Sequence, residues 1–471
     1  MPRIYLLLIF LATGWLSCQK WEAHDAVTNP SLQHNVLQLI NTDANLSQFS
    51  SMLTKTGYDK VIGSARSYTV WAPNNAALAN LDPAVTSDPA RLKQFVGNHI
   101  ANQSYLTSAT PSPLRVQMLN GKYVLISSAR FDSAHITRGD QYASNGILQI
   151  IDSAVPALPN IWEWVNTTAA TYAQNAFMLT LNFQGFDSTR ATLDSINPIT
   201  GAPVYVPGTG IVDRNSFRDA YSVDNEDSVY TYFVIQDASF NASVVGQKPY
   251  FNTSTMDSTT RLSGWNLVKD LAVRGRYDYG QLPDSLVLLS KYNVRIPIVK
   301  SAIVGTFRVS NGVVYVLNHI SFPQADKIAP IFIQGESPSA FSNNSTGNAV
   351  SFRYLRSPAT GQIFRDIYVY NVGGSFTVRY HVNNVYSSNY HVYWVAVNDL
   401  QTTAFSQRIA MDSSTTTFAY TSVPLTSYTE VYLGDYKTTT FGSHEVYLIN
   451  TNSTTAGVNT LDLDYIKLVP F

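Results

Sequence analysis

The chain has 471 residues, 45% hydrophobic and only 13% charged, and its 31 Lys and Arg nearly cancel 32 Asp and Glu to leave a net charge of −1. So even a balance offers no basic field to neutralise phosphates, which argues against nucleic acid as a partner. With 25 glycines and 21 prolines it is neither collagenous nor low-complexity, and its 29 tyrosines among abundant Ser, Thr and Asn predict a multi-domain, strand-rich, exported chain.

Residues 1–18 read as an export signal. Arg3 supplies a positive start and Ile4–Ala12 an unbroken apolar run, too short for a membrane span of about 20 residues. Ser17-Cys18 closes the run and resembles the lipobox of bacterial lipoproteins, although Trp15 departs from that pattern. The resemblance implies that Cys18, the only cysteine, is the acylated residue that anchors the chain to a membrane. No internal disulfide can then form. Residues 19–30 form a polar tether, and Gln19-Lys20-Trp21-Glu22 is similar to export tags of surface lipoproteins in some Gram-negative bacteria. The implied place is the outer membrane, lipid-anchored and surface-exposed.

Beyond the tether one pattern occurs twice. Ser67–Leu78 reads as a strand followed by a helix that Asn74 caps, and Tyr230–Phe240 repeats it. Each copy is followed by an Asn-Gly turn and an apolar strand, Ser144–Asp152 and Ser310–Asn318. The order predicts two tandem domains, residues 31–160 and 161–323. These runs resemble the signatures of the fasciclin domain, a secreted or surface-anchored adhesion module. The resemblance implies a compact α/β unit, a strongly twisted β-sandwich or wedge with helices alongside. Leu92–Ile100 is similar to the family's central stretch with its histidine, His99. Two readings of that residue stand: a partner contact, or a buried imidazole bonded to backbone. The second domain departs from the pattern, with Ile235 in place of proline, Leu271 where the histidine falls, and an extra loop between Gln184 and Asp227. Asp224, Glu226 and Asp227 read as a solvated loop.

Residues 324–471 carry thirteen tyrosines and regularly spaced short strands without amphipathic helices, which predicts an all-β jelly-roll sandwich. Asn383-Asn384 reads as a turn. The closing run Leu461–Pro470 and the opening Gln334-Gly335-Glu336 resemble those of galactose-binding-like carbohydrate modules. That resemblance implies a structural calcium held by Glu336 and Asp464; no other cofactor is required. Asp462 stands where sugar-binding relatives often carry asparagine. Sugar recognition needs aromatic faces and amides, which Tyr386, Asn389, Tyr390, Tyr436 and Phe441 supply from predicted loops.

No nucleophile elbow, zinc helix or phosphate loop is present, and no two of the eight histidines stand at ligand spacing. His381 and His391 read as neighbours in one sheet. Seven Asp-Ser triplets, at Ser133, Ser153, Ser188, Ser195, Ser228, Ser258 and Ser285, resemble an O-glycosylation acceptor of some Gram-negative bacteria, with Ser153 expected to be buried. The expected function is non-catalytic: an envelope lipoprotein that holds a surface protein or polysaccharide through its loops. Two alternatives stand beside it, an accessory of a polysaccharide-uptake system and a cryptic glycan-active module in the last domain. Two facing carboxylates in a cleft would mark the latter.

Overall fold

The computed structural model describes residues 30–342, 349–358, 360–370, 372–415, 418–455 and 458–471. The leader, Cys18 and the tether lie outside the described residues. Among those described, no helix is long and apolar enough to cross a membrane. They fall into two compact units. One runs to Trp164 and takes in Ser222–Val229 and Arg308–Gly312; the other comprises Val165–Tyr221, Tyr230–Phe307 and Val313–Phe471.

The first unit is built on one seven-stranded sheet. Tyr68–Pro73 lies between Ile100–Ala101 and Gly146–Ile151, and the sheet continues through Ala134–Ala143, Arg130–Phe131 and Tyr123–Ile126 to Leu114–Gln117. The two signature strands are thus neighbours, paired in parallel from Tyr68↔Gly146 to Pro73↔Ile151. Alternation along the strand sends Tyr68, Val70 and Ala72 into a core shared with helices, while Trp71 enters a second core and stacks on Phe131 at 4.9 Å. The helices start where polar side chains cap them. Asn35 makes a capping box for Val36–Thr42, Asn74 accepts from the Ala77 N–H, and Asp88 caps Pro89–Gly97. Gly146 has φ +149°, and a Cβ there would lie 1.9 Å from the Tyr68 carbonyl oxygen, so glycine is required. Asn145 beside it does more than turn the chain. Its buried side chain accepts from the Val36 N–H and donates to the Ile62 and Ser64 carbonyls, tying helices to the sheet.

In the second unit Tyr230–Ile235 lies between Ala272–Arg274 and Gly312–Leu317, so its signature strands are neighbours too. The correspondence reaches single hydrogen bonds: the Trp71 N–H donates to the His99 carbonyl, and the Phe233 N–H donates to the Leu271 carbonyl. The expected loop after Gln184 is instead two hairpins, Asn182–Phe186 with Ile211–Asn215 and Leu193–Ile196 with Pro203–Tyr205, followed by the helix Ser216–Tyr221. Its Asp, Pro and Gly residues mark hairpin turns that length and composition alone read as loop.

The C-terminal part of this unit is the expected sandwich. One sheet runs Ile331–Gln334, Tyr465–Pro470, Asn389–Val395, Val431–Lys437; the facing sheet runs Ala340–Phe341, Thr377–Val385, Gly442–Asn450, Phe405–Met411, Thr421–Val423. A smaller sheet joins Val350–Arg356, Ile363–Val369 and Leu461–Leu463. Alternate residues of the facing strands, Val378, Tyr380 and Val382 against Tyr390, Val392 and Trp394, fill the core. Asn383-Asn384 does not turn the chain: it forms a bulge inside Thr377–Val385, with Asn384 at φ +59°.

Candidate functional site

A cleft of about 400 Å³ opens on the sandwich. Antiparallel pairing of Ile331–Gln334 with Tyr465–Pro470 sets Gln334 opposite Tyr465, and the rings of Phe332 and Tyr465 meet edge to face at 5.4 Å. The hairpin Val350–Arg356/Ile363–Val369 brings in Gln362 and Phe364, and Tyr428 stands against Phe364 at 6.3 Å and 80°. Tyr465 is fixed from outside, its hydroxyl donating to Glu430 at 2.8 Å, while Lys467 bonds both Glu430 oxygens. The cleft therefore presents oriented aromatic rings, two side-chain amides and the hydroxyls of Ser357 and Thr360. Among the described residues its one carboxylate is Asp464, and burial, with Asp366 and Glu336 nearby, pushes that group up to about 7.

Beside Asp464 in sequence, Asp462 is wholly buried. It binds Arg353 at 2.6 Å and accepts from the Val397 N–H at 2.6 Å. Arg353 also holds Asp366 and Asp399, at 2.5 and 2.7 Å, over the ring of Tyr368. Burial, and then the charge of Asp366, raises the Asp462 carboxyl well above its ordinary range. This acid is thus the partner of an arginine inside the sheet.

Three of the five residues expected to hold sugar lie on strands. Tyr390 belongs to Asn389–Val395 and is completely buried, its hydroxyl donating to the Tyr386 carbonyl at 2.8 Å, so it offers no face to a ligand. Tyr436 lies in Val431–Lys437, half-buried, and donates to Asp412 at 2.5 Å. Asn389 begins its strand, exposed. Tyr386 and Phe441 do sit outside strands, but their rings pack on Phe251 at 5.6 and 5.1 Å, so both are structural contacts. None of the five lines the cleft. Phe332, Phe364 and Tyr465 lie on strands, and alternation along a strand does not show which face stays open, so the sequence did not single them out.

His99 is not a partner contact. It is fully buried among Phe49, Phe95 and Phe131, with Nδ1 2.8 Å from the Phe95 carbonyl and Nε2 accepting from the Val155 N–H at 3.3 Å. Burial lowers its pKa to about 4. His381 and His391 do not share a sheet; they pair separately with Glu445 and Asp435. The acids at 224–227 are docked rather than solvated, Glu226 on Lys122 at 2.7 Å and Asp227 on the Tyr123 hydroxyl at 2.6 Å. Ser153 is exposed, and the other six Asp-Ser serines are exposed or half-exposed.

Among the described residues, no three His, Cys, Asp or Glu side chains form a metal-holding group. The pair Glu336 and Asp464 does show a feature that suits a cation, since Glu336 Oε2 is buried without a hydrogen-bond partner. Among the described residues, Thr438, His444 and Asp412 line up as a hydroxyl–imidazole–carboxylate series with 3.3 and 2.9 Å spacings. Thr438 is buried and its hydroxyl donates to the Thr440 carbonyl, so the imidazole holds structure and takes no proton from a nucleophile.

Fold and site together describe α/β units followed by a β-sandwich with an aromatic cleft. Residues 44–156 match the fasciclin domain model. No curated protein matches the chain. Among solved structures, a fasciclin domain pair from the insect cell adhesion molecule fasciclin I is 14% identical, covering 60% of this chain and 99% of that one, with a TM-score of 0.24. A family 35 carbohydrate-binding module from Clostridium thermocellum is 14% identical over 30% of this chain and 99% of that one, TM-score 0.23. A Podospora anserina mannanase carrying a family 35 module is 13% identical over 31% of this chain and only 28% of that one, TM-score 0.23. At these scores the architecture rests on the strand order and register given above.

Proposed function

We propose that this chain is a cell-envelope lipoprotein, anchored at Cys18 to the outer membrane and exposed at the surface, that captures glycan without making or breaking a bond. The observation that carries the reading is the sandwich cleft. Rings of Phe332, Phe364, Tyr428 and Tyr465 can stack on the C–H faces of a sugar while Gln334 and Gln362 bond its hydroxyls, in a volume within the range of ligand sites. A single carboxylate in the cleft supports binding over glycosidase chemistry, which needs two. The fasciclin part serves adhesion or spacing in this reading, as in an accessory of a polysaccharide-uptake system. Glu336 and Asp464 would hold a calcium ion that neutralises the buried acids beside the cleft.

A glycan array probed with the protein in calcium tests the reading. Binding should fall at least fivefold in Tyr428→Ala, which corresponds to about 1 kcal/mol of lost stacking. A silent array would shift the reading to a protein partner. Calcium should raise the melting temperature over that in EDTA, and Glu336→Gln should abolish the rise; no calcium effect on the unaltered protein removes the ion from the proposal.

A further inference from the structure

A larger pocket, about 700 Å³, lies elsewhere in the second unit. One wall is the segment Lys248–Phe251 with the helices on either side of it, Asp237–Gln247 and Met256–Val268; the other is the pair of sandwich segments around Ser388 and Thr439. The walls are stitched together. The Ser387 N–H donates to the Tyr250 carbonyl, the Phe441 N–H to the Asn252 carbonyl, and the Asn252 side chain to the Thr439 carbonyl, at 3.0, 2.7 and 2.6 Å. The Ser387 hydroxyl bridges the same walls, donating to the Pro249 carbonyl and accepting from the Asn252 N–H. The pocket's walls are therefore preformed, and what a ligand must order is chiefly the two lysine side chains.

Its side-chain charge is one-sided. Lys248 comes from one wall and Lys437 from the other, and among the described residues no Asp or Glu side chain lines the pocket. Lys122, Lys327 and Lys467 hold carboxylates elsewhere, on Glu163 and Glu226, Asp270, and Glu430. The Lys248 ammonium lies 3.8 Å from the Met256 sulfur, and among the described residues neither pocket lysine meets a carboxylate, which leaves both open to a ligand anion. Asn389 adds amide donors and acceptors, and Ser388 and Thr439 add hydroxyls. Phe471 supplies a ring 56% exposed, held flat against His391 at 3.9 Å and 8°.

We infer that this pocket is a second glycan site, built for a sugar that carries an anionic group, carboxylate or sulfate. Lys248 and Lys437 take the charge from opposite walls, the hydroxyl and amide groups take the ring hydroxyls, and the open face of Phe471 takes the C–H face. The site stands apart from the sandwich cleft, and either can hold when the other fails.

The test is isothermal titration of the full chain with trigalacturonate, a chondroitin sulfate disaccharide and neutral cellotriose. At least one anionic probe should bind, and cellotriose should not bind at this pocket. The double variant Lys248→Gln/Lys437→Gln should weaken that binding at least tenfold, as should 0.5 M salt, because two partly exposed ion pairs are screened. Which anionic probe binds separates carboxylate from sulfate. Tyr428→Ala, which weakens the other cleft, should leave the affinity at this pocket unchanged. The inference is overturned if neither anionic probe binds, if the double variant binds as tightly as the parent, or if Tyr428→Ala removes the binding.

Discussion

His99 should make the fasciclin domain sensitive to acid, and the size of the effect follows from its surroundings. The Phe95 carbonyl accepts from Nδ1, so the proton sits there and Nε2 is left to accept from the Val155 N–H. A second proton on Nε2 would face that N–H head-on inside a cage of three phenylalanines. Burial holds the pKa at about 4 against 6.5 for the free side chain. The unfolded chain therefore binds more protons below pH 6.5, and the stability present above that pH is lost as pH falls toward 4. At 1.36 kcal/mol per unit, the loss at pH 4.5 is about 2–3 kcal/mol, and no solvent screening applies to a fully buried ring. The assay is urea unfolding of the parent and His99→Gln at pH 7.5 and 4.5. Taking the difference between the two proteins cancels the other titrating groups. The parent should lose about 2–3 kcal/mol more than the variant between the two pH values. Equal losses, or an imidazole NMR titration of His99 centred near 6.5, would refute the reasoning.

Tyr390→Ala should lower stability by about 3–5 kcal/mol, as loss of a buried aromatic does, while glycan affinity measured on the folded fraction stays unchanged. Arg353→Met should cost about 3–5 kcal/mol in denaturant unfolding, because it strands Asp366 and Asp462 in the sheet; lowering the pH should recover part of that loss by protonating them. In the buried pair Lys327–Asp270, Lys327→Met alone should destabilise by a similar amount, whereas Lys327→Met with Asp270→Leu should unfold close to the parent midpoint. A double variant as unstable as the single one would show that the site needs its polar groups for more than charge balance.

The signature runs carried most of the architecture because they are interior strands, paired on both edges, in each sheet. Tyr68–Pro73 is buried along its whole length, so its composition is dictated from both faces and stays readable. The same holds for Leu271, whose equivalence to His99 shows in one shared backbone hydrogen bond although the side chains differ in chemistry. The cleft residues were hidden for the opposite reason. Tyr390 and Tyr465 occupy similar strand patterns, but one points between the sheets and the other toward a cleft that a distant hairpin completes. Period-two alternation reports that faces differ, and only tertiary packing decides which face is left open. Asn145 was legible as a turn residue but not as the hub that holds Val36, Ile62 and Ser64, since those partners are remote in sequence.

The parallel pairing of Tyr68–Pro73 with Gly146–Ile151 also has a mechanical meaning. A pull between the chain entering at Tyr68 and the chain leaving at Ile151 drags the two strands in opposite directions along their length. All six register pairs, from Tyr68↔Gly146 to Pro73↔Ile151, then bear the load together in shear, and none can be peeled off ahead of the rest. A hairpin loaded at its open end would instead unzip one pair at a time. Tension applied to this domain is therefore shared across its most deeply buried strands.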